Sequence, residues 1–180
     1  MKRESETFPT LRILGIDPGL NTTGYGVIEV ALGGVKLIEA GVIRGKTRGS
    51  LEARLKEIHE GVVEVIASLK PQAMAVEQLY SHYERPRTAI LMGHARGVII
   101  LAASLAGIPT KHYAATQVKR MLTGAGRASK VQMQNAICRE FGLLKPPEPP
   151  DVADALAIAL CHYHLTRTQN QLKSGFSGGS

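Results

Sequence analysis

The sequence predicts an α/β domain built on a mixed five-stranded sheet with helices on both faces. Two observations lead there. Three short apolar β segments open the chain with only turn signals between them, and strands then alternate with amphipathic helices. An opening meander must be antiparallel, whereas strands joined by helical crossovers run parallel, so one sheet contains both senses. The 180 residues suit one domain better than two.

The elements follow in order. Residues 11–16, 24–30 and 35–43 read as strands, the last two separated by Gly33-Gly34. From Ser50, the residues Leu51, Leu55, Ile58, Val62, Val65, Ile66 and Leu69 recur at helical spacing until Pro71 stops them. A buried strand over 73–77 precedes a helix over 87–106, apolar on nearly every side in its second half and ended by Gly107 and Pro109. A fifth strand over 110–113 leads to a short helix over 116–122, a basic glycine loop over 124–129 and a helix over 130–141. After the proline-rich hinge 145–150, a last helix starts with Asp151 as its N-cap. This places a single domain at 11–165, between a polar N-terminal extension (1–10) and a loose tail (166–180).

Composition narrows the class. With 44% hydrophobic and 21% charged residues, the chain is too apolar for disorder. Its most apolar stretch, 97–105, is far shorter than the ~20 residues of a bilayer span. Cys138 and Cys161 lie inside helical patterns and support neither a disulfide framework nor a zinc site. A soluble cytoplasmic protein is expected. The net charge of +7 favours polyanionic partners.

Against that basic background, four acids stand out. Asp17 ends the first strand within Gly15-Ile16-Asp17-Pro18-Gly19, and Glu77 ends an otherwise apolar strand. Asp151 and Asp154 are three apart and share a helix face. Each has an ordinary reading as a turn residue, a strand-end charge or a helix cap. Brought together at adjacent strand ends, however, four carboxylates repel unless cations neutralise them. Hard oxygen ligands without a Cys or His cluster suit Mg²⁺, or Mn²⁺ in its place. A basic chain with one acidic pocket is the charge layout of two-metal phosphodiester hydrolysis.

These motifs, with Thr23-Gly24-Tyr25-Gly26, Glu77-Gln78, Gly93-His94-Ala95-Arg96-Gly97, Gln117-Val118-Lys119 and the run 151–157, are collinear over 11–164. Together they resemble the RuvC family of Holliday-junction resolvases. The resemblance implies a ribonuclease-H-like fold and a Mg²⁺-dependent homodimeric endonuclease that nicks opposing strands of a four-way DNA junction. Its four acidic positions fall on Asp17, Glu77, Asp151 and Asp154. It places Lys119 and Lys130 near the scissile phosphate and Tyr80 as an aromatic wedge at unpaired bases. It also implies the branch-migration proteins RuvA and RuvB as partners.

The remaining cations, Arg87, Arg120 and Arg127, are candidates for DNA backbone contacts. Tyr83 reads as a packing residue, and His162 and His164 as surface and interface residues on different helix faces. Two rival classes are weaker. An actin-like ATPase would use Asp17, Gly19 and Thr22 or Thr23 in a phosphate loop, but closes two domains around its nucleotide. A noncatalytic junction-binding module predicts a missing acid, and none is missing.

Overall fold

The computed structural model describes residues 10–45, 49–78 and 86–176, with side chains to residue 168. The opening strands are β1 (Leu11–Asp17), β2 (Thr22–Ala31) and β3 (Gly34–Arg44). Gly34, at φ 112°, carries the tight β2–β3 turn in a conformation that a side chain would oppose. Helix α1 (Leu51–Leu69) is capped by Ser50, whose hydroxyl accepts from the Ala53 amide, and ends at left-handed Lys70 before Pro71. Then come β4 (Ala73–Glu77), α2 (Pro86–Leu105) and β5 (Thr110–Tyr113). The chain continues through α3 (Ala115–Thr123), α4 (Lys130–Phe141, with a Ser129/Gln132 capping box) and α5 (Pro150–Phe176).

The sheet order is β3-β2-β1-β4-β5. β1 pairs antiparallel with β2 and parallel with β4, and β5 continues the parallel half. Because side chains alternate along a strand, β1 sends Leu14 and Ile16 to one face and Ile13 to the other. Leu14 and Ile16 join Val27, Ile58, Val62, Met74, Val76 and Ile99 in a core under α1 and α2. Ile13 joins Ile28, Ala75, Ile137, Leu156 and Leu160 under α3, α4 and α5. The mixed five-stranded α/β architecture expected from the sequence is the one observed.

Helix α5 lies directly on backbone. A Cβ on Gly15 would come 2.1 Å from the Ala155 carbonyl oxygen, and one on Gly24 would come 2.0 Å from that of Asp151. A Cβ on Gly26 would strike Leu156 at 2.5 Å. Gly15 and Gly26 are cross-strand partners, so the glycines form one bare patch in which the helix sits.

Four expectations are corrected. Helix α5 starts at Pro150, so Asp151 lies in its first turn and is not the N-cap; there its charge still suits the helix dipole. The helix runs on to Phe176, where a loose tail from residue 166 was expected. Its periodicity fades, but Thr166 and Thr168 bond back to the His162 and His164 carbonyls, and no proline or glycine interrupts it before Gly175. His162 is buried: its Nδ1 lies 2.7 Å from the Tyr113 hydroxyl, because α5 crosses the end of β5 there. His164 remains half-exposed, 4.0 Å from Glu140. Finally, α2 as a whole is long and apolar enough to cross a membrane by length and composition alone, although residues 97–105 are not. Ala95, Ile99, Ala102 and Ala103 of this helix are buried in the core it shares with α1 and the sheet.

Candidate active site

Strand polarity creates the site. β1 and β4 are parallel neighbours with Ile16 opposite Val76, so the next residues, Asp17 and Glu77, stand side by side at the carboxyl edge of the sheet. They share a face with Ile13 and Ala75, the face that α5 covers. The cross-strand partner of Asp17 is Gly24, on which the backbone of Asp151 rests. The bare glycine patch thus delivers the first turn of α5, with Asp151 and Asp154, to the two strand ends.

The turn after Asp17 is pinned from within. Thr23, fully buried, donates from Oγ1 to the Gly19 carbonyl at 2.7 Å and accepts from the Gly19 amide at 3.3 Å. The sequence named this threonine only within a family motif and in the rival phosphate-loop reading, not as the anchor of this turn. Its signal is a hydroxyl four residues after Gly19, at the start of an apolar strand.

The electrostatics are those of crowded, partly desolvated acids. Burial, then the charges of Glu77, Asp154 and Asp151, raise the Asp17 carboxyl from 3.8 to about 8, and a hydrogen bond to Glu77 adds to this. That bond favours the ionised form of Glu77. Glu77 and Asp154 are also raised, both mainly by burial, with Lys119 acting against the shift in each case. Lys130 opposes it more strongly at Asp154.

Helices α3 and α4 supply those lysines. Glu77, Lys119, Lys130 and Asp154 line one pocket of about 290 Å³, floored by Val118, Met133, Ala157 and Ile158. Two carboxylates and two ammonium groups therefore face a common space beside Asp17. Arg120 and Arg127 are exposed on the neighbouring helix and loop, and Arg87 is exposed at the start of α2; none of the three lines the pocket. Tyr80 and Tyr83 lie outside the described residues.

Among the described residues, no three His, Cys, Asp or Glu side chains are preassembled to hold a metal ion. The donor chemistry nevertheless fits a hard divalent cation: every candidate ligand is a carboxylate oxygen, and a proton on Asp17 relieves the repulsion a cation would relieve.

Comparison with known proteins agrees with this geometry. Residues 13–162 match the family described as Crossover junction endodeoxyribonuclease RuvC. A relative of that name from Rhodopirellula baltica is 58% identical over 153 residues, covering 85% of this chain and 86% of its own length. One from Desulforamulus reducens is 42% identical, covering 87% and 95%. Among solved structures, Thermus thermophilus RuvC in complex with a Holliday junction substrate aligns with a TM-score of 0.82 at 34% identity, covering 88% of this chain and 96% of that one. The yeast mitochondrial Holliday junction resolvase Ydc2, at 14% identity and a TM-score of 0.61, shares the fold. The sheet order, the strand-end acids and a match over most of both chains converge: the fold is ribonuclease-H-like, and the chain belongs to the RuvC family of crossover junction endodeoxyribonucleases.

Proposed function

We propose that this chain resolves four-way (Holliday) DNA junctions in recombination and repair by hydrolysing a phosphodiester bond in each of two opposing strands. The observation that carries the reading is the pocket in which Glu77 and Asp154 face Lys119 and Lys130 beside the raised Asp17 carboxyl. Asp17, Glu77, Asp151 and Asp154 would hold Mg²⁺, with Mn²⁺ able to substitute. When bound, the cations supply charge stabilisation at the scissile phosphate and lower the pKa of the attacking water. Lys119 and Lys130 hold that phosphate by its non-bridging oxygens and offset its developing charge. Arg87, Arg120 and Arg127 contact the DNA backbone, and Tyr80 stacks on an unpaired base at the crossover.

Two symmetric nicks need two sites, and the reading includes a homodimer. Its support is a stripe on α2: Ile90, Leu101 and Leu105 are 63%, 50% and 73% exposed, and Cβ atoms built on Gly93 and Gly97 meet nothing within 4 Å. These positions recur at helical spacing, so an apolar face with room for close helix approach is left uncovered by the described residues. Action on chromosomal DNA places the protein in the cytoplasm, and RuvA and RuvB as partners rest on family membership alone. A synthetic four-way junction incubated with the protein, with and without Mg²⁺, tests the reading: paired nicks only with the cation are expected. Tight binding without nicking in Mg²⁺ would favour a noncatalytic junction-binding module.

A further inference from the structure

We infer that Arg96 is a positioning residue that fixes the peptide carrying Glu77 and ties it to helix α2, an inference that rests on the nuclease reading above. Arg96 is half-buried on α2, one residue before Gly97 of the uncovered stripe. Its Nε donates to the Glu77 carbonyl oxygen at 3.1 Å, and its Nη2 lies 2.6 Å from Nδ1 of His112. A guanidinium has donors only, so His112 Nδ1 accepts and that ring carries its hydrogen on Nε2. One planar fork therefore spans the end of β4 and its neighbour β5.

The same peptide is held from its other edge. The Gln78 amide donates to the Tyr113 carbonyl at 2.8 Å, so both polar groups of the Glu77–Gln78 peptide are bound, one by α2 and one by β5. The α-carbon of Glu77 is a corner of that plane. Rotation of the plane would swing the carboxylate away from Asp17 and the pocket, and the two bonds oppose that rotation. A lysine at 96 would keep the charge but present its donors from one point, without the fork that reaches two acceptors on different strands. Because α2 bears the uncovered stripe on one side and Arg96 on another, the helix that would meet a second subunit also orients a strand-end acid. This gives the arginine of Gly93-His94-Ala95-Arg96-Gly97 a physical role.

The test uses full-length Arg96→Lys and Arg96→Met. Nicking of a four-way junction at saturating substrate should fall about 10- to 100-fold, the scale of a misplaced catalytic group. Junction Kd should stay within about twofold and the sedimentation profile should be unchanged. The Mg²⁺ concentration giving half-maximal nicking should rise. Independently of activity, hydrogen exchange at the Gln78 amide should quicken in both variants without added metal. Unchanged Gln78 exchange, a wild-type rate in Arg96→Lys, or a loss of rate fully matched by loss of junction affinity would overturn the role. If the wild-type protein nicks no four-way junction, the nuclease reading falls, and Gln78 exchange alone still decides whether Arg96 holds the peptide.

Discussion

The cleft at the carboxyl edge of β1 and β4 and the groove between β3 and α1 are both walled by carboxylates. The groove is the larger, about 450 Å³ against about 290 Å³. Its acids, Glu39 and Glu64, are exposed, and Glu39 accepts a hydrogen bond from the Tyr25 hydroxyl at 2.9 Å. That phenol is pushed up to about 12, by burial first and then by the Glu39 bond, and among the described residues no lysine or arginine lines the groove. In the smaller cleft the acids are crowded and partly desolvated and face two lysines. Volume does not mark the chemistry; strained protonation of several groups facing one space does.

The largest effects should separate the two regions. Asp17→Asn, Glu77→Gln or Asp154→Asn should each lower junction nicking by about 10³-fold or more while junction affinity changes little, since basic residues supply most DNA affinity. Glu39→Gln and Glu64→Gln should leave the nicking rate within about twofold. An equal loss from Glu64→Gln would erase the distinction.

Next, Lys119→Met and Lys130→Met should lower the rate about 10- to 100-fold, on the scale of removing one preorganised stabilising group. Each should also reduce the salt slope of junction binding by about one if the lysine meets a phosphate. An unchanged salt slope would confine that lysine to neutralising the acids.

The acids also predict how stability varies with pH. Between 3.8 and about 8, the folded chain keeps a proton on Asp17 that the unfolded chain has released. Folding then binds protons, so this group's contribution to stability is lost as pH rises through that window. The melting temperature of metal-free protein should decline toward pH 8 more steeply than that of Asp17→Asn, and saturating Mg²⁺ should flatten the decline. Parallel curves for wild type and Asp17→Asn would remove Asp17 from the crowded cluster. The smallest effect belongs to the groove. Tyr25→Phe removes one partly exposed hydrogen bond and should cost about 1 kcal/mol or less, with no change in nicking.

Much of this architecture was legible before the structure. The starts of β4 and β5 fall just after Pro71 and Pro109, and α4 runs from the capping Ser129 to Gly142. Placing Asp17 beside Glu77 required only that strands joined by a helical crossover run parallel and end at the same edge. Hidden from the sequence was how α5 reaches that edge. Gly15, Gly24 and Gly26 read as turn or motif glycines, whereas their work is the absence of a side chain on one face of two paired strands. His162 was misjudged for a related reason: a polar residue at a helix end looks exposed until the strand that pairs with it is placed. The staple through Arg96 joins residues far apart in sequence, and no local pattern announces it.

The seating of α5 on bare backbone also bears on when such an enzyme becomes dangerous to DNA. Two of the four candidate acids belong to the strands, but the other two arrive only when the last helix docks on glycines where any side chain would collide with it. A chain still emerging from the ribosome can form much of its sheet before residues 150–176 exist. In the proposed nuclease that intermediate would be harmless, and so would a folded molecule whose last helix has transiently lifted, because either would carry half an active site. In that reading the glycine patch would act as a safety catch, making completion of the fold the condition for cutting.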